Sequence, residues 1–148
     1  MLLIRNERFC SRAAFPAFAI THPSMDEKAN TMTTLLIVDD NREMRQLIKN
    51  IVSKVCDEIF ECEDGDELLP AFIAHRPDWV LMDVEMKRTD GLKATSDLMS
   101  RYPEARVIIV TKHGDIQTRL AAREAGARFL VGKEDLLSLL PLIQDRQG

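Results

Sequence analysis

The sequence predicts an α/β domain: a doubly wound, five-stranded parallel sheet with helices on both faces. Three observations carry that prediction. Short apolar runs without alternation recur along the chain, which suits strands covered on both sides. Stretches with apolar residues at helical spacing separate them, and that alternation implies βαβ units with right-handed crossovers. The clearest run, Trp79-Val80-Leu81-Met82, leads straight into Asp83. A charge at the end of a buried strand is costly without a partner, and open α/β sheets bind their ligands at the carboxyl ends of strands.

The elements follow in order from Thr33. Leu35-Leu36-Ile37-Val38 reads as a buried strand ending in Asp39-Asp40, and Asn41 is placed to cap the next helix. Met44, Leu47, Ile48, Ile51, Val52 and Val55 give that helix its period. Glu58 to Cys62 is a short strand with charged neighbours, expected near a sheet edge. Asp64-Gly65-Asp66 makes a turn, Leu68 to His75 a short helix, and Arg76-Pro77-Asp78 a break before the strand 79–83. Gly91 opens a helix through about Arg101, with Leu92, Thr95, Leu98 and Met99 inward, and Tyr102-Pro103 ends it.

Residues 106–110 form a fourth strand, running into Thr111. A helix over 115–125 is closed by Gly126, and strand 128–131 precedes Gly132-Lys133. Pro141 is tolerated only in a first turn, so the last helix is expected to start near Ser138. Leu136, Leu139, Leu140 and Ile143 form its expected inner face, with Leu137 and Leu142 on the other side. Either core burial or pairing of two copies through this helix accounts for that much apolar surface.

The chain has 148 residues, with 45% hydrophobic and 30% charged, which fits one soluble domain and a good core. Residues 1–32 carry four Lys/Arg against three Asp/Glu, and residues 33–148 carry sixteen against twenty-one. The ordered part is therefore acidic, with no basic footprint for nucleic acid. No apolar run approaches the ~20 residues of a membrane span. Cys10, Cys56 and Cys62 lack the spacing of a zinc site or disulfide framework and read as free thiols in a reducing cytoplasm. Residues 1–32 show no sustained period and read as a disordered extension or an over-long start; residues 33–148 form the domain.

In a parallel sheet the strand ends share one edge. Asp39, Asp40, Asp83, Thr111 and Lys133 are thus expected to converge. Three adjacent carboxylates repel unless a cation joins them, and hard oxygen ligands suit Mg²⁺. Mg²⁺ and Lys133 together would neutralise an arriving phosphoryl group, with Thr111 donating to it, and a carboxylate is itself a candidate nucleophile.

These motifs resemble the receiver domain of bacterial two-component response regulators. The resemblance rests on Leu35-Leu36-Ile37-Val38-Asp39-Asp40, on Leu81-Met82-Asp83 with Met86 and Asp90-Gly91, and on Val107-Ile108-Ile109-Val110-Thr111. Ala125-Gly126-Ala127 then leads to Lys133 at the family's interval. It covers nearly all of the chain from residue 33. It implies the flavodoxin-like receiver fold with strand order 2-1-3-4-5. It implies Asp83 as phosphoacceptor from a histidine kinase or histidine phosphotransfer protein. Asp40, Asp83 and the Glu85 backbone carbonyl match direct Mg²⁺ ligands, and Asp39 matches the acid holding metal-bound water. Thr111 and Lys133 match the groups that grip the phosphoryl oxygens and start the switch, a signalling rather than an enzymatic role.

Four positions depart from the family pattern. Lys87 stands where proline is usual, which removes a fixed φ from the acceptor loop. Lys112 replaces a small residue, and Leu130 occupies the switch-aromatic position. Phe129 should point to the opposite face and cannot substitute. Lys133 is followed by Glu134, not proline, so no cis-proline loop is expected. Glu85 and His113 match positions facing the entering water. With no output domain after Gly148, the expected function is a stand-alone receiver signalling to a downstream protein target. The rivals are a receiver cut from a longer DNA-binding regulator, a phosphate-independent receiver, and an aspartyl-phosphate phosphatase. The last wants an Asp where Glu85 stands.

Overall fold

The computed structural model describes residues 32–145, so the extension expected over residues 1–32 lies almost wholly outside the described residues. Five parallel strands form one sheet: β1 (Thr34–Val38), β2 (Glu58–Cys62), β3 (Trp79–Asp83), β4 (Val107–Thr111) and β5 (Phe129–Gly132). Their order is β2-β1-β3-β4-β5, the doubly wound order expected. Between and after them run α1 (Arg42–Val52), α2 (Leu68–His75), α3 (Gly91–Arg101), α4 (Ile116–Ala125) and α5 (Leu139–Gln144).

The strands are apolar because both faces are covered. Leu36, Val38, Val80, Met82, Val107 and Ile109 pack on one side with Leu68, Phe72 and Leu98 of α2 and α3. Leu35, Ile37, Leu81, Ile108 and Val110 pack on the other with Ile48, Val52, Leu139 and Ile143 of α1 and α5. β2 is the expected edge, with only Cys62 of its five residues fully buried. Trp79 starts β3 at 1% exposure. Its ring lies 6.2 Å from that of Phe129 and 4.5 Å from the Arg106 guanidinium. Its indole N–H is the one buried side-chain polar atom without a hydrogen-bond partner among the described residues.

The helix starts are set by short polar side chains. Asn41 accepts the Met44 N–H at 2.9 Å, Asp90 accepts that of Leu92 at 2.8 Å, and Asp115 that of Thr118 at 2.8 Å. Gly126 closes α4 at φ 100°, a left-handed conformation that favours glycine. Gly91 faces a different constraint. A Cβ there would overlap the Asp83 carbonyl oxygen. Gly91→Ala is therefore expected to cost about 3 kcal/mol by forcing backbone apart. A lower denaturant midpoint with unchanged slope checks it; a wild-type midpoint refutes it.

Several boundaries differ from the sequence expectation by a residue or more. α1 ends at Val52, and a turn continues to Val55 and Cys56, whose N–H groups both bond the Val52 carbonyl at 2.9 Å. β4 and β5 each begin one residue later than expected. The last segment opens as a 3₁₀ turn, Leu136–Ser138, before α5. Leu136, Leu139 and Ile143 are buried as expected, while Leu140 and Leu142 are both half-buried, Leu142 packing against the core. Leu137 remains 64% exposed. No cis peptide bond occurs among the described residues, in line with Glu134 after Lys133.

Candidate functional site

All the strand-end residues arrive at one small pocket of about 90 Å³. Asp39, Asp40, Asp83, Glu85, Thr111, Lys112 and Lys133 line it, with Asn41 and Met44 at the start of α1. Asp83 is the last residue of β3 and Thr111 the last of β4, at 5% and 1% exposure. Asp39 follows β1 at 2% exposure, its N–H bonded to the Cys62 carbonyl of β2. Oxygens of Asp39, Asp40 and Asp83 all lie within 4.8 Å of one another.

Lys133 crosses this cluster. Its Nζ donates to Asp39 at 3.0 Å and lies 3.2 Å from an Asp83 oxygen. The Lys133 N–H is tied to the Thr111 carbonyl at 2.8 Å, so β4 and β5 place the ammonium together. Burial alone would lower the Lys133 pKa, but Asp39 and Asp83 outweigh it and hold it above its ordinary value. Asp83 is pushed up to about 6, first by burial and then by the charge of Asp39, against the pull of Lys133. One ammonium thus leaves the cluster with excess negative charge. That imbalance, with three carboxylates in contact range, fits a hard divalent cation such as Mg²⁺.

The surrounding contacts orient these groups. The Asn41 N–H donates to Asp39 and the Lys87 N–H to Asp40, at 2.8 and 2.9 Å. The Glu85 backbone N–H beside Asp83 works against the upward shift of its carboxyl. The Thr111 hydroxyl accepts the His113 N–H at 3.1 Å; that contact uses a lone pair, and its proton stays able to donate. Across the mouth, His113 Nε2 lies 3.6 Å from a Glu85 carboxylate oxygen. Lys112 is exposed at the rim.

The structure also assembles residues that the sequence reading passed over. Arg45 is buried on α1 and donates to the Asp39 carbonyl at 2.7 Å and to Glu61 at 2.9 Å. The only hint of it was a charge beside Met44 and Ile48 on the inner helix face. Asp64 and Arg88 form a second unanticipated pair, with contacts at 2.6 and 2.8 Å. Leu130 packs on the α3–α4 side of the sheet and Phe129 on the opposite side, as the alternation required.

Residues 35–141 match the family model for the response regulator receiver domain. The chain belongs to the response regulator receiver family. Among its relatives, the chemotaxis protein CheY of Listeria monocytogenes is 37% identical over 103 residues, covering 69% of this chain and 87% of that one. The transcriptional regulatory protein DegU of Brevibacillus brevis is 31% identical over 113 residues, covering 74% of this chain and 48% of that protein. This receiver therefore spans most of one relative and about half of the other. The response regulator domain of Thermotoga maritima CheB superposes with a TM-score of 0.68 at 27% identity, covering 78% of this chain and 96% of that one. The receiver fold and order 2-1-3-4-5 are thus those of the family, whose members are signalling proteins. No helix among the described residues is long and apolar enough to cross a membrane.

Proposed function

We propose that this receiver accepts a phosphoryl group on Asp83, in a Mg²⁺-dependent reaction, and passes the change on through protein–protein contacts. The donor is a histidine kinase or histidine phosphotransfer protein. The supporting observation is the pocket itself, with three carboxylates and Lys133 at strand ends. Asp40, Asp83 and the Glu85 carbonyl would hold Mg²⁺ directly, and Asp39 would hold its water. When bound, the cation offsets the carboxylate charge and that of the phosphoryl oxygens.

The chain's own residues do the rest. With its carboxyl pushed up only to about 6, Asp83 is mainly ionised at neutral pH and able to attack phosphorus. The new O–P bond forms as the donor's N–P bond breaks, and the electron pair stays on the histidine nitrogen. Lys133 and Thr111 then take the phosphoryl oxygens that Asp83 has brought within reach. A stand-alone cytoplasmic receiver, with residues 1–32 as a separate extension and 33–148 as the domain, is the organisation we favour. The match to CheY over most of its length supports it; the DegU match keeps a longer DNA-binding regulator as the second reading.

The test is incubation with a small-molecule phosphodonor and Mg²⁺, read by intact mass. An acid-stable, base-labile phosphoryl adduct is expected on the wild type and none on Asp83→Asn; an unmodified wild type overturns the proposal. The Glu85–His113 pair stands where water must enter. Glu85→Ala is expected to change the dephosphorylation rate by up to about fivefold, the scale of an exposed ion pair. Equal half-lives in a phosphate-release assay would refute a role for Glu85.

A further inference from the structure

We infer that Arg88 is a positioning residue for the acidic pocket: its ion pair with Asp64 pins the acceptor loop, residues 84–90, to the turn after β2. The loop bears directly on the pocket, because the Lys87 N–H donates to Asp40 at 2.9 Å and Glu85 lines the cavity. It has no proline at position 87 to set its backbone. Its other internal ties are the Glu85–Asp90 bridge and the Gly91 N–H bond to the Val84 carbonyl at 3.0 Å, and both join the loop to itself. Arg88, like the Lys87 N–H on Asp40, joins it to a different part of the fold, and does so with a charged pair to a buried carboxylate.

The acceptor side is prepared for that contact. Asp64 is 3% exposed, and one of its oxygens already takes the Gly65 N–H at 2.9 Å. The other oxygen receives Arg88 Nε at 2.8 Å and lies 2.6 Å from Nη2. Burial pushes the Asp64 carboxyl up, but hydrogen bonds from Thr89, Gly65 and Arg88 outweigh it and hold it below its ordinary value. A carboxylate with so little exposure keeps its charge only with such donors. The two segments also touch closely. A Cβ on Gly65 would lie 2.6 Å from Thr89 Cγ2, and the Thr89 hydroxyl is 3.4 Å from an Asp66 oxygen. Arg88 is the neighbour of Lys87, so movement at one end of the pair is felt at Asp40.

The inference rests on the proposed function only for its phosphorylation arm. The experiment compares wild type, Arg88→Ala, Arg88→Lys, Asp64→Asn and the double variant Arg88→Ala/Asp64→Asn. It reads amide hydrogen exchange of residues 84–90 without metal, calorimetric titration with Mg²⁺ alone, and phosphoryl uptake from a small phosphodonor. Arg88→Ala is expected to speed loop exchange about tenfold, because local opening becomes cheaper. It is expected to weaken Mg²⁺ binding about fivefold, the scale of one ion pair. Arg88→Lys should recover part of both, since it restores charge without the fork geometry. The Arg88→Ala/Asp64→Asn pair should be no worse than Asp64→Asn alone, as expected for partners in one contact. If Asp64→Asn fails to fold, the two Arg88 variants decide. Wild-type loop exchange and Mg²⁺ affinity in Arg88→Ala overturn the inference. Absence of phosphoryl uptake by the wild type overturns the proposed function instead, and leaves the exchange and Mg²⁺ results to judge Arg88.

Discussion

Asp83→Asn is expected to abolish the phosphoryl adduct and, in the same experiment, to make the metal-free protein more stable. The first effect follows from loss of the nucleophile. The second follows from the direction of the Asp83 shift, from 3.8 up to about 6. The folded state binds that proton more tightly than the unfolded chain does. Below about pH 4 both states are protonated and the site costs nothing. As pH rises from about 4 to 6 the unfolded chain ionises first, so the wild type loses stability, and the loss is complete above about 6. Two pKa units correspond to about 3 kcal/mol, which Asn removes at neutral pH. A rise in Tm on the order of 5–10 °C in EDTA follows. It should shrink towards zero at pH 4, and Mg²⁺ should stabilise the wild type more than the variant. A variant Tm equal to or below wild type at pH 7.5 in EDTA would contradict the assigned imbalance of charge.

Lys133→Ala is expected to act in the opposite direction. It leaves Asp39 and Asp83, with side chains 2% and 6% exposed, facing each other without the ammonium that now lies 3.0 and 3.2 Å away. Removing one partner of a buried ion pair costs about 3–5 kcal/mol, because the remaining charge stays buried. The loss should be greatest at neutral pH and should shrink as pH falls and Asp83 protonates. Mg²⁺ should restore part of it. Denaturant midpoints at pH 7.5 and pH 5, each with and without Mg²⁺, check all three statements. A midpoint unchanged at pH 7.5 would mean that Lys133 is not the counter-charge of this cluster.

Strand ends were legible in the sequence because two constraints coincide there. A two-sided strand must be apolar, and where the run stops the next residue stands at the sheet edge. Asp83 and Thr111 needed no more than that, and Lys133 needed only one further step past Gly132. Arg45 and the Arg88–Asp64 pair were not legible for the opposite reason. Each depends on the distance between segments 16 to 24 residues apart, and nothing in local spacing encodes it. Leu140 and Leu142 show a third limit: helical spacing sorted them to opposite faces, yet both sit half-buried at the flanks of the stripe formed by Leu139 and Ile143.

Trp79 gives these stability measurements an optical handle. It is the one tryptophan in the chain, and it lies buried on the strand that ends in Asp83. Intrinsic emission excited in the indole band therefore comes from one site. It should be blue in the folded state, where the ring is held between Phe129 and Arg106, and shift red when β3 reaches water. Unfolding of the Asp83 and Lys133 variants can thus be followed without a dye, and the signal reports on the strand that carries the acceptor.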